Sequence, residues 1–180
     1  VKFGAEMDRR DNIKSWFVAG GLANITPEAQ RHNLRTGDAV IVEGSETEDY
    51  NGVFSVSNAT TSSFRIDTAY IDNPSIDGSF IECEAFADNS YYYDPTSQRE
   101  FVGFLIPPSR PTEIEVGDTV MVRQFDGFSI GAYNGEWLVT DIDVKQAGFL
   151  TYNRILTNCP YLGNTPFNGG AIYPVNRKRV

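Results

Sequence analysis

Residues 35–44 read RTGDAVIVEG and residues 49–58 read DYNGVFSVSN. Similar stretches follow later in the chain: residues 115–124 read EVGDTVMVRQ and residues 132–141 read AYNGEWLVTD. In both places a Gly-Asp pair precedes alternating valines, and a Tyr-Asn-Gly triplet precedes a second apolar stretch. Recurrence of the same turn residues in the same order indicates that a small β-domain is present twice.

The spacing of the repeated motifs is steady. The Gly-Asp pairs at Gly37 and Gly117 and the triplets at Tyr50 and Tyr133 are offset by about 80 and about 83 residues, as small loop insertions would produce. Four apolar residues that follow the triplets have matching phase and are expected to point into cores: Phe54, Val56, Trp137 and Val139. An aromatic residue follows in each copy, which predicts that Phe64 and Phe149 are equivalent.

The turn residues have a mechanical role in this interpretation. Glycine adopts a positive φ readily and Asp binds neighbouring backbone N–H groups, so each Gly-Asp pair fixes the start of a strand. Asn-Gly tolerates the left-handed region and turns the chain into the next strand. The predicted structural turn residues are Gly37, Asp38, Tyr50, Asn51, Gly52, Gly117, Asp118, Tyr133, Asn134 and Gly135.

We therefore predict an all-β fold with two tandem small antiparallel β-barrel or β-sandwich repeats and extended termini. The predicted segments are an N-terminal arm (1–13), a first β-repeat (14–86), a connector (87–98), a second β-repeat (99–161) and a C-terminal extended tail (162–180).

The chain is acidic, with a formal net charge of −9 and a pI of about 4.6. This charge argues against a nucleic-acid partner, because neutralising phosphates requires clustered Lys and Arg. No apolar run approaches the roughly 18 residues that a membrane span needs. The first ten residues lack the apolar segment of a signal peptide, so we expect synthesis without one and no membrane partner.

The residues that usually hold metals are few. Cys83 and Cys159 share no CxxC spacing, and His32 lies far from both in the sequence. Since a structural zinc site needs four such ligands, we predict no metal and no cofactor. Cys83 lies in an alternating apolar stretch, which favours a buried thiol. A disulfide between Cys83 and Cys159 is possible but is not required by the sequence.

No catalytic residue is predicted. A mechanism that depends on histidine would have to use His32, for which the second copy has no counterpart. An acidic cluster in the first copy, Glu46, Glu48 and Asp49, lacks the spacing of an EF-hand, and nothing selects a glycosidase pair within it. A solvated acidic loop is the favoured interpretation.

Aromatic, apolar and basic side chains near the connector and the C-terminus are candidates for contacts with neighbours. In a strand, one or two of the three consecutive tyrosines would face the core. On an exposed connector they would suit protein contact or carbohydrate stacking, and we favour protein contact. Disordered tails usually lack apolar residues, so the C-terminal segment is expected to pack on a second subunit or on a neighbouring protein. The candidate interface residues are Tyr91, Tyr92, Tyr93, Phe167, Tyr173, Arg177, Lys178 and Arg179.

The succession of GD-x-V-x-V, a loop, YNG-x-[FW]-x-V and a strand with an aromatic residue resembles a small β-repeat of tailed-bacteriophage virion structural proteins. Copies of that repeat often begin HGLxxGD. Residues 32–38 read HNLRTGD, with Asn33 where Gly is usual, whereas residues 113–118 read EIEVGD and depart from the pattern. The resemblance covers most of residues 31–67 and 114–152 and supplies no catalytic residues.

The resemblance implies a non-enzymatic structural component of a virion, in the tail, the neck or the capsid decoration. Such a protein would be made in the host cytoplasm and act as an oligomer through contacts between subunits. Its expected partners are copies of itself and other virion proteins. The alternative is a carbohydrate- or host-receptor-binding module of a phage tail, whose partner would be a host glycan.

Overall fold

Antiparallel strands dominate the chain, as the alternating apolar pattern predicts. The computed structural model describes residues 9–72, 76–107, 112–125, 133–163 and 169–176. The strands in this part of the chain are β1 (Arg10–Ala19), β2 (Leu22–Pro27), β3 (Ala39–Glu43), β4 (Gly52–Ser57), β5 (Phe64–Ala69), β6 (Ser79–Phe86), β7 (Asp88–Asp94), β8 (Arg99–Ile106), β9 (Thr119–Gln124), β10 (Gly135–Ala147), β11 (Leu150–Pro160) and β12 (Gly170–Pro174).

Helical structure is almost absent from the described residues. They contain a 3₁₀ helix of 3 residues at Glu48–Tyr50 and no α-helix. None of their helical segments has the length and apolar character that crossing a bilayer requires. The all-β prediction is therefore confirmed for the described part of the chain.

The chain forms two compact units that divide between Cys83 and Glu84. In the first unit the strand pairings follow the order β1–β2–β5–β4–β3–β6. Residues 10–12 of β1 also pair with residues 79–81 of β6, so the series of pairings returns to its first strand. Its core contains stacked rings of Trp16 and Tyr50, whose centroids are 4.1 Å apart.

In the second unit the pairings follow the order β6–β12–β9–β10–β11–β8–β7. Residues 84–86 of β6 pair with β12, and β7 follows β6 after Ala87, whose N–H donates to the carbonyl of Leu105 at 2.8 Å. Phe86 and Phe104 meet edge to face in the core, with centroids 5.0 Å apart. Through β6 the twelve described strands belong to one antiparallel sheet order.

Strand β12 corrects the prediction that residues 162–180 form an extended tail. It lies between β6 and β9, and Ala171 and Ile172 are fully buried. A Cβ at Gly170 would collide with the backbone carbonyl oxygen of Arg123, so the strand fits closely. The buried side chain of Ile172 belongs to the core of its own unit. Tyr173 is half-buried on β12, whereas Phe167 and residues 177–179 lie outside the described part of the chain.

The predicted arm and connector also contain strand. Since β1 begins at Arg10 and Ile13 is buried, the end of the predicted arm (1–13) belongs to the first unit. The predicted connector (87–98) holds β7, which pairs with β8 over its whole length. The chain divides within β6, before the predicted connector begins, because the two parts of that strand pair with different neighbours.

Replacing Ile172 with Ala should destabilise the protein by about 2–5 kcal/mol, the usual range for emptying a buried aliphatic site. Urea unfolding of the full chain measures this change. Val175→Ala is the matched control, because Val175 is partly exposed just beyond β12 and should lose no more than about 0.5 kcal/mol. Equal losses for the two variants would contradict the placement of β12 in the core.

Candidate functional site

The first Gly-Asp turn is fixed by four hydrogen bonds. Gly37, with φ of 100°, donates its N–H to the carbonyl of Val56 at 2.9 Å, and Val56 donates its N–H to the carbonyl of Asp38 at 2.9 Å. Asp38 donates its N–H to the carbonyl of Arg35 at 3.0 Å, and its Oδ2 accepts the N–H of Arg35 at 2.8 Å. The turn thus extends the pairing of β3 with β4 by one residue, Asp38 opposite Val56, and ends it there.

The second Gly-Asp turn has the same four bonds. Gly117, with φ of 92°, donates to the carbonyl of Val139 at 2.9 Å, and Val139 donates to the carbonyl of Asp118 at 2.9 Å. Asp118 donates its N–H to the carbonyl of Glu115 at 3.1 Å and accepts the N–H of Glu115 at Oδ2 at 2.8 Å. The structure therefore gives these predicted turn residues a structural role in both places.

The Asn-Gly pairs hold the preceding loop. Asn51 accepts the N–H of Ser45 at 2.9 Å and donates to the carbonyl of the same residue at 2.8 Å. Asn134 accepts the N–H of Gln124 at 2.7 Å. The glycine that follows takes a φ of 139° in the first triplet and 140° in the second, a region that L side chains rarely adopt.

The tyrosines of the triplets are fully buried, and each phenol oxygen binds the backbone just after the hairpin that follows its triplet. The phenol oxygen of Tyr50 accepts the N–H of Ile71 at 2.7 Å. In the second unit the phenol oxygen of Tyr133 accepts the N–H of Leu162 at 3.2 Å. Burial raises the pKa of Tyr50, against an opposing effect of the hydrogen bond with the backbone of Ile71.

The residues that follow each triplet divide into two pairs. Val56 and Val139 are buried, as the alternating pattern predicts. Phe54 and Trp137 are half-buried and pack against the edges of their cores. The indole Nε1 of Trp137 donates to the carbonyl of Tyr133 at 2.8 Å, so this ring covers the triplet's own turn.

The predicted equivalence of Phe64 and Phe149 is wrong. Phe64 is fully buried, whereas Phe149 is fully exposed in the turn between β10 and β11. Val56 pairs with Ile66 and Val139 pairs with Thr157; two residues before these partners lie Phe64 and Ile155, which are both fully buried. Strands β10 and β11 have 13 and 11 residues, against 6 each in β4 and β5, and this extension displaces Phe149.

The extended β10–β11 hairpin carries apolar side chains into solvent. We define the hairpin tip as Val144, Phe149 and Leu150, all of which are exposed. Below it Arg154 binds Asp143 through two hydrogen bonds, Nε to Oδ1 at 2.7 Å and Nη2 to Oδ2 at 2.6 Å, which raise the pKa of the guanidinium. The shorter β4–β5 connection, residues 58–63, reads NATTSS and has no large apolar residue.

The three consecutive tyrosines do not all face solvent. Tyr92 donates its hydroxyl to the carbonyl of Thr157 at 3.0 Å, lies 3.1 Å from Oγ1 of Thr140 and packs on the ring of Phe101. Tyr93 is exposed, and the side chain of Tyr91 lies outside the described part of the structure. Tyr92 therefore stabilises its own unit, and Tyr93 stays a candidate contact residue.

The single histidine holds a loop. His32 accepts the N–H of Leu34 at Nδ1, at 3.1 Å, and its Nε2 lies 3.0 Å from the carbonyl of Ser63. These contacts place the proton on Nε2, which leaves the neutral ring bonded to backbone on both sides. The imidazole lies edge-on to Phe64, with centroids 5.2 Å apart. The ring thus ties the approach to the first Gly-Asp turn to β5.

The cysteines are buried, and the acidic loop is held by its own backbone contacts. Both thiols are buried, and burial raises the pKa of Cys159 to about 12, so this thiol is protonated at neutral pH. Glu46 donates its N–H to the carboxylate of Asp77 at 3.1 Å, and Glu48 and Asp49 begin the 3₁₀ helix. Within the described ranges, no three His, Cys, Asp or Glu side chains are grouped to hold a metal ion.

No protein-family model, curated protein or solved structure matches this chain. The hairpin tip is an exposed apolar surface that the sequence motifs did not predict. In the sequence, the alternation DIDVKQA followed by GFL, residues 141–150, indicates a strand longer than the one that follows the first Tyr-Asn-Gly triplet.

Replacing Tyr50 with Phe should cost about 1 kcal/mol, because the N–H of Ile71 loses its acceptor in a half-buried place. The difference in stability between the wild-type protein and Tyr50→Phe should shrink above pH 10. The pKa of Tyr50 is higher in the folded state than the value of 10.0 in the unfolded state, so the phenol contributes stability below pH 10 and loses this contribution as the pH rises through its folded pKa. Chemical denaturation at pH 7 and pH 11 measures both effects. Tyr93→Phe, at an exposed ring, is the control and should change stability little.

A chelator should leave the melting temperature unchanged, because we predict no required metal. Thermal unfolding with and without EDTA, followed by readdition of Ca²⁺, tests the acidic cluster Glu46, Glu48 and Asp49. A fall of several degrees that Ca²⁺ reverses would contradict the prediction.

Proposed function

We propose that the chain is a tandem duplication of one six-stranded antiparallel barrel. The pairings support this proposal, since β1–β2–β5–β4–β3–β6 corresponds in order to β7–β8–β11–β10–β9–β12. In the first unit, β1 also pairs with β6, the last strand in the order. In the second unit, residues 84–86, which precede β7, pair in the same way with β12. The hydrogen bonds of the Gly-Asp turns recur at matching places in this scheme.

We further propose that the protein is a non-enzymatic structural component that acts through contacts between subunits. The observation that carries this proposal is the exposed hairpin tip. An aromatic ring and two aliphatic side chains stand on a hairpin that only the second copy extends, and such a group gains free energy by being covered. Ordered strands hold the tip, so little conformational entropy is lost when it binds.

The polar groups of the described residues support a non-catalytic role. His32, Asp38 and Asp118 bind backbone groups of the turns, and Arg154 is held by Asp143. These side chains keep loops and strands in place. A nucleophile next to a base, which covalent catalysis needs, is not among these contacts.

The resemblance of the Gly-Asp and Tyr-Asn-Gly motifs to a β-repeat of tailed-phage virion proteins gives the proposed context. We propose a virion component of the tail, the neck or the capsid decoration, made in the host cytoplasm, with copies of itself and other virion proteins as partners. The host-glycan alternative gains no support from one groove of the described surface. A groove of the first unit, lined by residues 32–36 and 59–61, has no Phe, Tyr or Trp in its lining on which a sugar ring would stack.

Replacing Phe149 with Ser should weaken self-assembly by at least tenfold in concentration, since the apolar ring contributes about 2 kcal/mol when it is buried. Mass photometry and sedimentation of the full chain, with electron microscopy of the assembled fraction, measure the change. Phe17→Ser is the matched control, because Phe17 is a partly exposed ring on the β1–β2 hairpin of the first unit. A chain that stays monomeric up to high concentration, alone and with phage structural proteins, would overturn the proposed function.

A further inference from the structure

Within the described ranges, the outer edge of β10 is unpaired along the extended hairpin. Strand β9 pairs with β10 only at residues 135–138, whereas β11 pairs with it from Val139 to Ala147. Among the described residues, no strand pairs with the β9-facing edge of β10 from Asp141 onward. An open edge presents backbone N–H and C=O groups to which another strand can bind.

The direction of these backbone groups follows from two contacts. Val139 exchanges hydrogen bonds with Gly117 and Asp118, so its N–H and C=O face the β9 side. After an irregularity between Val139 and Asp141, the N–H of Ile142 is bound by Oδ1 of Asp141 at 2.8 Å and so does not face β11. Because direction alternates along a strand, the backbone groups of Ile142, Val144 and Gln146 face outward.

We propose that two copies of this chain pair through this edge, β10 against β10, antiparallel about a two-fold axis at Val144. The proposal rests on the proposed function and names the partner at the extended hairpin. Val144 is 62% exposed, and at the axis it would meet its own copy. Its outward N–H and C=O would bond those of the other Val144, and each Gln146 N–H would meet the carbonyl of Ile142 in the partner copy.

Charge selects this register. With Val144 at the axis, each Asp143 lies directly opposite Lys145 of the other copy, in the non-hydrogen-bonded position where side chains approach most closely. Asp143 already binds Arg154 on its other side, and its side chain keeps 39% exposure toward a second cation. The row across the joined hairpins would then alternate in sign: Arg154, Asp143 and the Lys145 of the second copy.

The neighbouring registers place like charges together. An axis at Asp143 would put the two Asp143 carboxylates opposite each other, and an axis at Lys145 would do the same for the two ammonium groups. Like charges directly opposite destabilise an antiparallel pair. Because Oδ1 of Asp141 already accepts the N–H of Ile142, that N–H forms no bond across the proposed pairing, which is held through the N–H groups of Val144 and Gln146.

A cysteine at the proposed axis tests the pairing directly. Hydrogen-bonded residues of an antiparallel pair have Cα atoms about 5.5 Å apart, within the range of a disulfide. Both native thiols are buried, so Val144→Cys introduces the reactive one. We expect the full-length V144C variant to form a disulfide-linked dimer under mild oxidation at least tenfold faster than Val116→Cys, whose side chain is 59% exposed in the second Gly-Asp turn.

Charge variants in the V144C background then test the register. Lys145→Glu should slow cross-linking roughly tenfold or more, since it places a carboxylate opposite Asp143 at two symmetric positions. Mixing this variant with Asp143→Lys should restore a mixed dimer, because every opposed pair again has opposite signs. Thermal melts of each variant establish that the hairpin remains folded.

The outcomes separate the two proposals. An assembling chain in which V144C cross-links no faster than V116C overturns the β10 pairing and leaves the proposed function standing. Cross-linking of V144C that Lys145→Glu leaves unchanged overturns the register. A wild-type chain that is monomeric alone at every concentration also overturns the β10 pairing, and one that stays monomeric with phage structural proteins as well overturns the proposed function itself.

Discussion

The exchange of backbone hydrogen bonds between each Gly-Asp turn and the valine that follows the triplet sets the register of the strands around it. Val56 is held opposite Asp38, and Val139 opposite Asp118. A shift by one residue would reverse the face of every side chain in the strand and expose the buried valines. The positive φ of the glycine and the Asp carboxylate fix where the ladder ends, so the remaining pairings of each unit are built from a defined start.

The sequence predicted the parts of the fold that depend on local chemistry. Gly37, Gly117 and the glycines of both Asn-Gly pairs have positive φ, and the alternating valines are buried. Asn51 is extended, with φ of −89°, so the left-handed conformation expected of Asn-Gly is found at the glycine and not at this asparagine. Trp137 shows the limit of this reasoning: periodicity gives the face of a strand, but the depth of a side chain depends on what lies above it. Here the indole covers a turn carbonyl at the edge of the core.

Long-range pairing was harder to predict, because no local signal marks it. The segment of β12, GAIYP, is short and lies among Gly, Asn and Pro, which are typical of an extended tail. Its burial is decided by β6 and β9, far away in sequence. The hairpin tip was missed for a related reason. The added length of β10 and β11 leaves the spacing of the motifs almost unchanged but places Phe149 in a turn, so the spacing matched it with Phe64 although it is the most exposed aromatic side chain among the described residues.

The continuity of β6 has a consequence for the order in which the protein folds during synthesis. The described strand pairings of the first unit lie within residues 10–83, so they can form as soon as that part of the chain has left the ribosome. The second unit waits much longer, since Glu84, at the start of its first strand, pairs with Ile172 near the end of the chain. Closing such a long loop is slow, because its entropy is lost before the contacts form. The nascent chain would therefore carry the paired strands of the first unit while the second unit still lacks β12. The net negative charge of the chain would help to keep that intermediate soluble.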